Sequence, residues 1–125
     1  MATDHLKNEL EYRVKTMEYM FDHKDWTGLK TVYTPDCRRM RNGKISKGFQ
    51  DTLQWIKTIR DEFEIDVTLD EYGVIIEDQL AYSLNSYTMS KDGAVIGNAK
   101  LMIIWKKVGG IYLIDMENSN YVYIE

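Results

Sequence analysis

The stretch Asp25–Gly48, DWTGLKTVYTPDCRRMRNGKISKG, decides the fold. Asp25 can cap a short helix carrying Trp26, Leu29 and Tyr33 on one side. Pro35 disfavours helical backbone at Thr34, so that helix ends before it. Residues 37–41 then read as a short strand, Asn42-Gly43 as a tight turn, and Lys44 to Ser46 as the returning strand. Gly48 opens another helix that runs to about Phe63, with Phe49, Leu53, Ile56 and Phe63 sharing one face.

Upstream, residues 3 to about 23 form one long helix, because Leu6, Leu10, Val14, Met17 and Phe21 recur every three or four residues as a single apolar stripe. Downstream the period changes to two. Ile65, Val67 and Leu69 alternate with Asp66, Thr68 and Asp70, and the apolar set then shifts parity to Tyr72, Val74 and Ile76 around Gly73. Leu80, Tyr82 and Leu84 shift in the same way to Tyr87 and Met89. Such one-residue shifts mark bulges that bend a strand. Asp92-Gly93 turns into residues 94–106, and Gly109-Gly110 turns into Ile111 to Ile124. The order is three helices, with a small strand pair before the third, then four long bent antiparallel strands. A bent sheet cannot bury its concave face alone, so the helices must close over it, and that arrangement tends to leave a cavity.

Composition narrows the function. The 125 residues, 44% hydrophobic, suit one domain over 1–125, and one Pro with 8 scattered Gly leaves no linker. A formal charge of −4 with no long basic stripe argues against nucleic acid as a partner. Cys37 is the only cysteine, which excludes an internal disulfide and suits a reducing compartment. The charged start MATDHLKNELEYR is neither a signal peptide nor a lipidation signal, and no apolar run reaches membrane-spanning length, so a cytoplasmic location without membrane contact is expected. His5 and His23 form no HxH or HxxxH pattern and Cys37 has no neighbour at metal-ligand spacing, so neither a metal nor another cofactor is expected.

The long first helix followed by KDWTGLKTVYTPDCRRMRNGKISKG resembles the nuclear transport factor 2-like superfamily, in particular its SnoaL-like and ketosteroid-isomerase-like branches. The later segments LAYSLNSYTMSKDG and NAKLMIIWKKVGGIYLIDMENSN are similar to that family's last three strands. The resemblance implies an α+β fold in which a cone-shaped, curved antiparallel sheet wraps around the long N-terminal helix and two shorter helices, a cystatin-like α+β barrel. It also implies an apolar pocket inside the cone and a homodimer formed through the sheet. It does not carry one function, since this fold hosts isomerases, cyclases, dehydratases and interaction modules. Isomerisation of the ketosteroid type needs a carboxylate base and an oxyanion hole made of a Tyr and a protonated carboxylic acid. Counted from Asp25-Trp26, those positions fall at Met17 for the Tyr, Arg41 for the base and near Leu101 for the acid. Met and Leu cannot donate a hydrogen bond there, and an always-protonated Arg cannot take a proton.

Three groups of residues remain as candidates. Cys37, Arg39 and Arg41 share a strand face opposite Arg38 and Met40, so Arg39 and Arg41 can clamp a carboxylate or phosphate at a pocket mouth, or else form surface ion pairs. Asp115 follows Ile111 and Leu113 on one face of the last strand, together with Glu117, and is the candidate general acid or base; its alternative is a structural carboxylate. Met17, Trp55, Tyr87, Met102 and Asn118 are candidate pocket wall, or simply core. Cys37 reads as a buried, inert thiol. The expected function is a pocket that binds an apolar or weakly anionic small molecule, with cofactor-free acid–base chemistry at Asp115 if it is catalytic. The alternative is a non-enzymatic dimerisation or protein-interaction module.

Overall fold

The structure is a computed structural model and describes residues 2–41 and 43–123. Asn42, expected in the first turn, and Ile124, expected at the end of the last strand, lie outside the described residues. Helix α1 spans Ala2–Asp22, α2 spans Trp26–Lys30 and α3 spans Phe49–Glu62. The strands are β1 (Tyr33–Arg41), β2 (Lys44–Lys47), β3 (Glu64–Ile76), β4 (Leu80–Lys91), β5 (Ala94–Val108) and β6 (Ile111–Tyr123). They form one six-stranded sheet in the order β2-β1-β6-β5-β4-β3. The sheet is mixed rather than wholly antiparallel, because β1 runs parallel to β6. The chain can only reach β6 from β1 after building the rest of the sheet, so the two ends of the fold are locked side by side.

Local chemistry explains the element ends. The Asp25 carboxylate accepts from Gly28 N at 2.9 Å and caps α2. A Cβ at Gly28 would collide with that carboxylate, so the cap needs glycine there. Helix α2 ends at Lys30, earlier than Pro35 requires, and β1 begins at Tyr33, ahead of the expected residue 37. Asp92 and Gly93 both have positive φ, 53° and 82°, as do Gly109 and Gly110 at 59° and 82°. These are the backbone angles that a two-residue hairpin needs to match strand twist.

Of the two expected parity shifts, one moves and the other is absent. In β3 the unpaired residues are Asp70, between the pairs Leu69–Asn85 and Glu71–Leu84, and Ile75. Gly73 instead makes room for the ring of Tyr82, whose Cε1 would lie 2.5 Å from an added Cβ. In β4 the register runs unbroken from Leu80 to Met89, so Ala81, Ser83, Asn85, Tyr87 and Met89 all face inward. Polar Ser83 and Asn85 occupy buried places because they bond to each other and to the core: Trp105 Nε1 donates to Ser83 Oγ at 2.8 Å, and Asn85 Nδ2 donates to Ser83 Oγ and Leu101 O, both at 3.0 Å. Hydrogen bonds to the Ser83 hydroxyl and from the Asn85 amide nitrogen offset part of the cost of burying them, which erased the apolar alternation on this strand.

The stripe expected on α1 is the one buried. Leu10, Val14, Met17 and Phe21 pack into one cluster with Leu29, Ile56, Ile59 and the inner sheet face. Among the described residues no helix is long and apolar enough to cross a membrane.

Candidate functional site

The inner face of the cone lines a cavity of about 30 Å³. Its roof comes from the helices, with Met17 and Phe21 from α1, Leu29 from α2, and Ile56 and Ile59 from α3. Its floor comes from the sheet, with apolar Ile65 and Leu101, the aromatic Tyr87, and Tyr33, Arg39 and Glu117 as a polar group. The volume exceeds the roughly 10–15 Å³ that admits a water and is far below the several hundred Å³ of an ordinary ligand pocket.

The polar end is a compact cluster. Glu117 is 1% exposed, and its Oε1 accepts from Tyr33 Oη at 2.8 Å and from Arg39 Nη1 at 3.1 Å. Arg39 is itself buried, so the ion pair is shielded from water. Both donors converge on Oε1, while Oε2 has no hydrogen-bond partner among the described residues. Burial first, and the neighbouring Glu117 charge second, hold the Tyr33 phenol well above its ordinary value, so it stays a hydrogen-bond donor.

A bulge places Glu117 there. On β6 the partners step from Ile114–Trp105 to Met116–Ile104, which leaves Asp115 without an opposite residue on β5. Before the bulge Tyr112 and Ile114 point inward; after it Glu117 and Ser119 do. The expected shared face of Ile111, Leu113, Asp115 and Glu117 is therefore corrected. Asp115 is half-buried outside the cavity, where its Oδ1 accepts from Thr34 Oγ1 at 2.8 Å.

Of the other expected site residues, Met17, Arg39 and Tyr87 meet at the cavity. Arg41 does not reach it; its guanidinium lies 5.5 Å from the centroid of the Trp55 ring, which also receives Lys44 Nζ at 5.2 Å. Trp55 is thus a cation platform at the side of α3 rather than cavity wall. Met102 and Asn118 sit on the outer face, each one residue away from an inward neighbour, Leu101 and Glu117. Tyr33 and Glu117 were not singled out. Glu117 turns inward because the strand parity breaks at Asp115, and the sequence shows no Gly or Pro to flag that break.

Among the described residues no group of three or more His, Cys, Asp or Glu could hold a metal ion. Cys37 is fully buried, its Sγ lies 3.8 Å from Thr52 Oγ1, and burial pushes the thiol up to about 11.

No protein family and no curated protein matches the chain by sequence. Solved structures do match its fold. An NTF-2 like protein of unknown function from Shewanella oneidensis superposes with a TM-score of 0.77 at 17% identity, covering 96% of this chain and 99% of that one. A ketosteroid isomerase-like protein from Erwinia carotovora atroseptica gives 0.76 at 13% identity, covering 92% and 95%. A LinA-type hexachlorocyclohexane dehydrochlorinase from Novosphingobium barchaimii gives 0.80 at 11% identity, covering 99% and 93%. The chain therefore has the NTF2-like, cystatin-like fold, shared by proteins with different activities.

The thiol yields a prediction. The folded protein holds the Cys37 proton from 9.0 up to about 11, so above pH 9 the unfolded chain binds fewer protons than the native one. Stability should fall as pH rises through that window, by on the order of 2 kcal/mol in total from this group, and Cys37→Ala should flatten the slope in urea titrations. Native protein should resist a thiol reagent at neutral pH and react once unfolded; fast labelling of the folded chain would contradict the buried thiol.

Proposed function

We propose that this chain is a small-molecule-binding protein that holds a mainly apolar ligand inside its cone. The supporting observation is the interior cavity itself, apolar on its helical side and ending in the Tyr33–Glu117–Arg39 cluster. A buried charged pair in an otherwise apolar chamber is costly to assemble and is the kind of feature that orients a ligand. Ketosteroid-type isomerisation is not part of this reading. The position counted for its Tyr is Met17 and that for its acid is Leu101; both line the cavity and neither can donate a hydrogen bond. An anionic ligand also fits poorly, because Arg39 is bonded to Glu117.

NMR titration of the folded protein with a panel of small apolar compounds should move signals of Ile56, Ile59 and Leu101 saturably. Leu101→Phe, which fills the space, should abolish those shifts while leaving the fold intact. Shifts confined to surface residues would count against an internal site.

A second reading has its own observation. Leu84, Met102, Asn118 and Met40 lie opposite one another across four strands on the outer face, with Met116 beside them. The four apolar members, Met40, Leu84, Met102 and Met116, are each 37–40% exposed, and a shallow depression of about 520 Å³ lies over the Leu84–Met102–Asn118 part of the face. An apolar strip on a sheet face, bordered by Arg38 and by Asp70, Glu71 and Lys100, suits an isologous contact with a second copy, so the protein is proposed to be a homodimer through the sheet. Light scattering should give a dimer mass for the native chain and a monomer mass for Met102→Lys. A native monomer at high micromolar concentration would overturn this.

A further inference from the structure

The unfilled hydrogen-bonding capacity of the interior identifies the chemistry of the ligand, given that the cavity is a binding site as proposed above. Glu117 Oε2 belongs to a cavity-lining side chain and has no partner among the described residues. Two more buried atoms on the same inner face share that condition, Asn85 Oδ1 and Ser119 Oγ. Asn85, Leu101 and Ser119 are opposite one another on β4, β5 and β6, and Ser119 lies about 7 Å along β6 from Glu117 by strand rise. The Asn85 amide cannot simply be turned round, because its nitrogen donates to the carbonyl of Leu101, which can only accept.

The vacancies therefore have a sign. Two of the three atoms are oxygens that only accept, and the third is a hydroxyl that can do either. Of the three, only Glu117 Oε2 belongs to a side chain that lines the cavity, and as a carboxylate oxygen it calls for a donor. A carboxylate or phosphate would bring more acceptors and would meet Glu117 Oε2 directly. A cation would add uncompensated charge, since Arg39 already balances Glu117 and both side chains are buried. We infer that the cavity recognises a small, uncharged, largely apolar molecule whose single O–H or N–H donates a hydrogen bond to Glu117 Oε2. Size sets a further limit. A volume of about 30 Å³ takes a group of few heavy atoms, and unbranched Met17 in the wall is the side chain best able to yield to a slightly larger one.

The test uses four probes with the same number of heavy atoms: pyrrole, a neutral N–H donor; furan, its isostere without a donor; pyrrolidinium, a cation; and propionate, an anion. Each is titrated into the folded protein and followed at the Ile56, Ile59 and Leu101 methyl signals. Pyrrole should bind about tenfold or more tightly than furan, the scale of a hydrogen bond to a charged group, and the two ions should bind more weakly than either. The double variant Arg39→Met/Glu117→Leu keeps an apolar interior without a buried unpaired charge. It should bind pyrrole and furan equally. Furan equal to pyrrole in the native chain, or tightest binding by propionate or pyrrolidinium, would overturn the donor inference and leave the pocket reading standing. Failure of all four to move the cavity methyls would sink both.

Discussion

The interior of this protein is organised around the ion pair between Arg39 and Glu117. Taking a guanidinium and a carboxylate out of water is expensive, and their attraction offsets that cost only when each is well placed. Here placement is set by the parallel pairing of β1 with β6, which puts Arg39 beside Glu117 in the sheet register. Tyr33, six residues earlier on β1, supplies the second hydrogen bond to the same carboxylate oxygen. The bulge at Asp115 is what turns Glu117 inward to receive both. Without it, the next strand position would present Asn118 or Met116 to the cone, and the charged partner of Arg39 would face solvent.

That dependence explains why the site was harder to read than the fold. The helical stripe of Leu10, Val14, Met17 and Phe21, the Asp25 cap and the Asp92-Gly93 and Gly109-Gly110 turns are local signals, each fixed by a few neighbouring residues, and they carry the architecture. Site placement rests on strand parity, which is non-local. On β4, Ser83 and Asn85 are buried where Trp105 and Leu101, on another strand, bond the Ser83 hydroxyl and the Asn85 amide nitrogen. On β6, apolar Ile111 and Leu113 suggested a face that the bulge at Asp115 then exchanges. A one-residue slip moves every side chain to the other surface. It sent Met102 and Asn118 to the outer face and brought Leu101 and Glu117 to the inner one.

The same geometry separates two surfaces with different chemistry. The inner one is mainly apolar and ends in the Tyr33–Glu117–Arg39 cluster; the outer one carries an exposed row of methionine and leucine. The two proposed uses do not conflict, because alternate residues of the same strands serve each face.

The claim that the Arg39–Glu117 pair organises the interior is tested most directly by a double-mutant cycle on folding stability. Arg39→Met and Glu117→Leu should each destabilise the protein by about 3–5 kcal/mol, because each strands a buried charge. The double variant should recover most of that loss, giving a large coupling energy between the two sites. Single losses that are small, or that simply add in the double variant, would show that the two side chains do not form a shielded pair and would contradict the account.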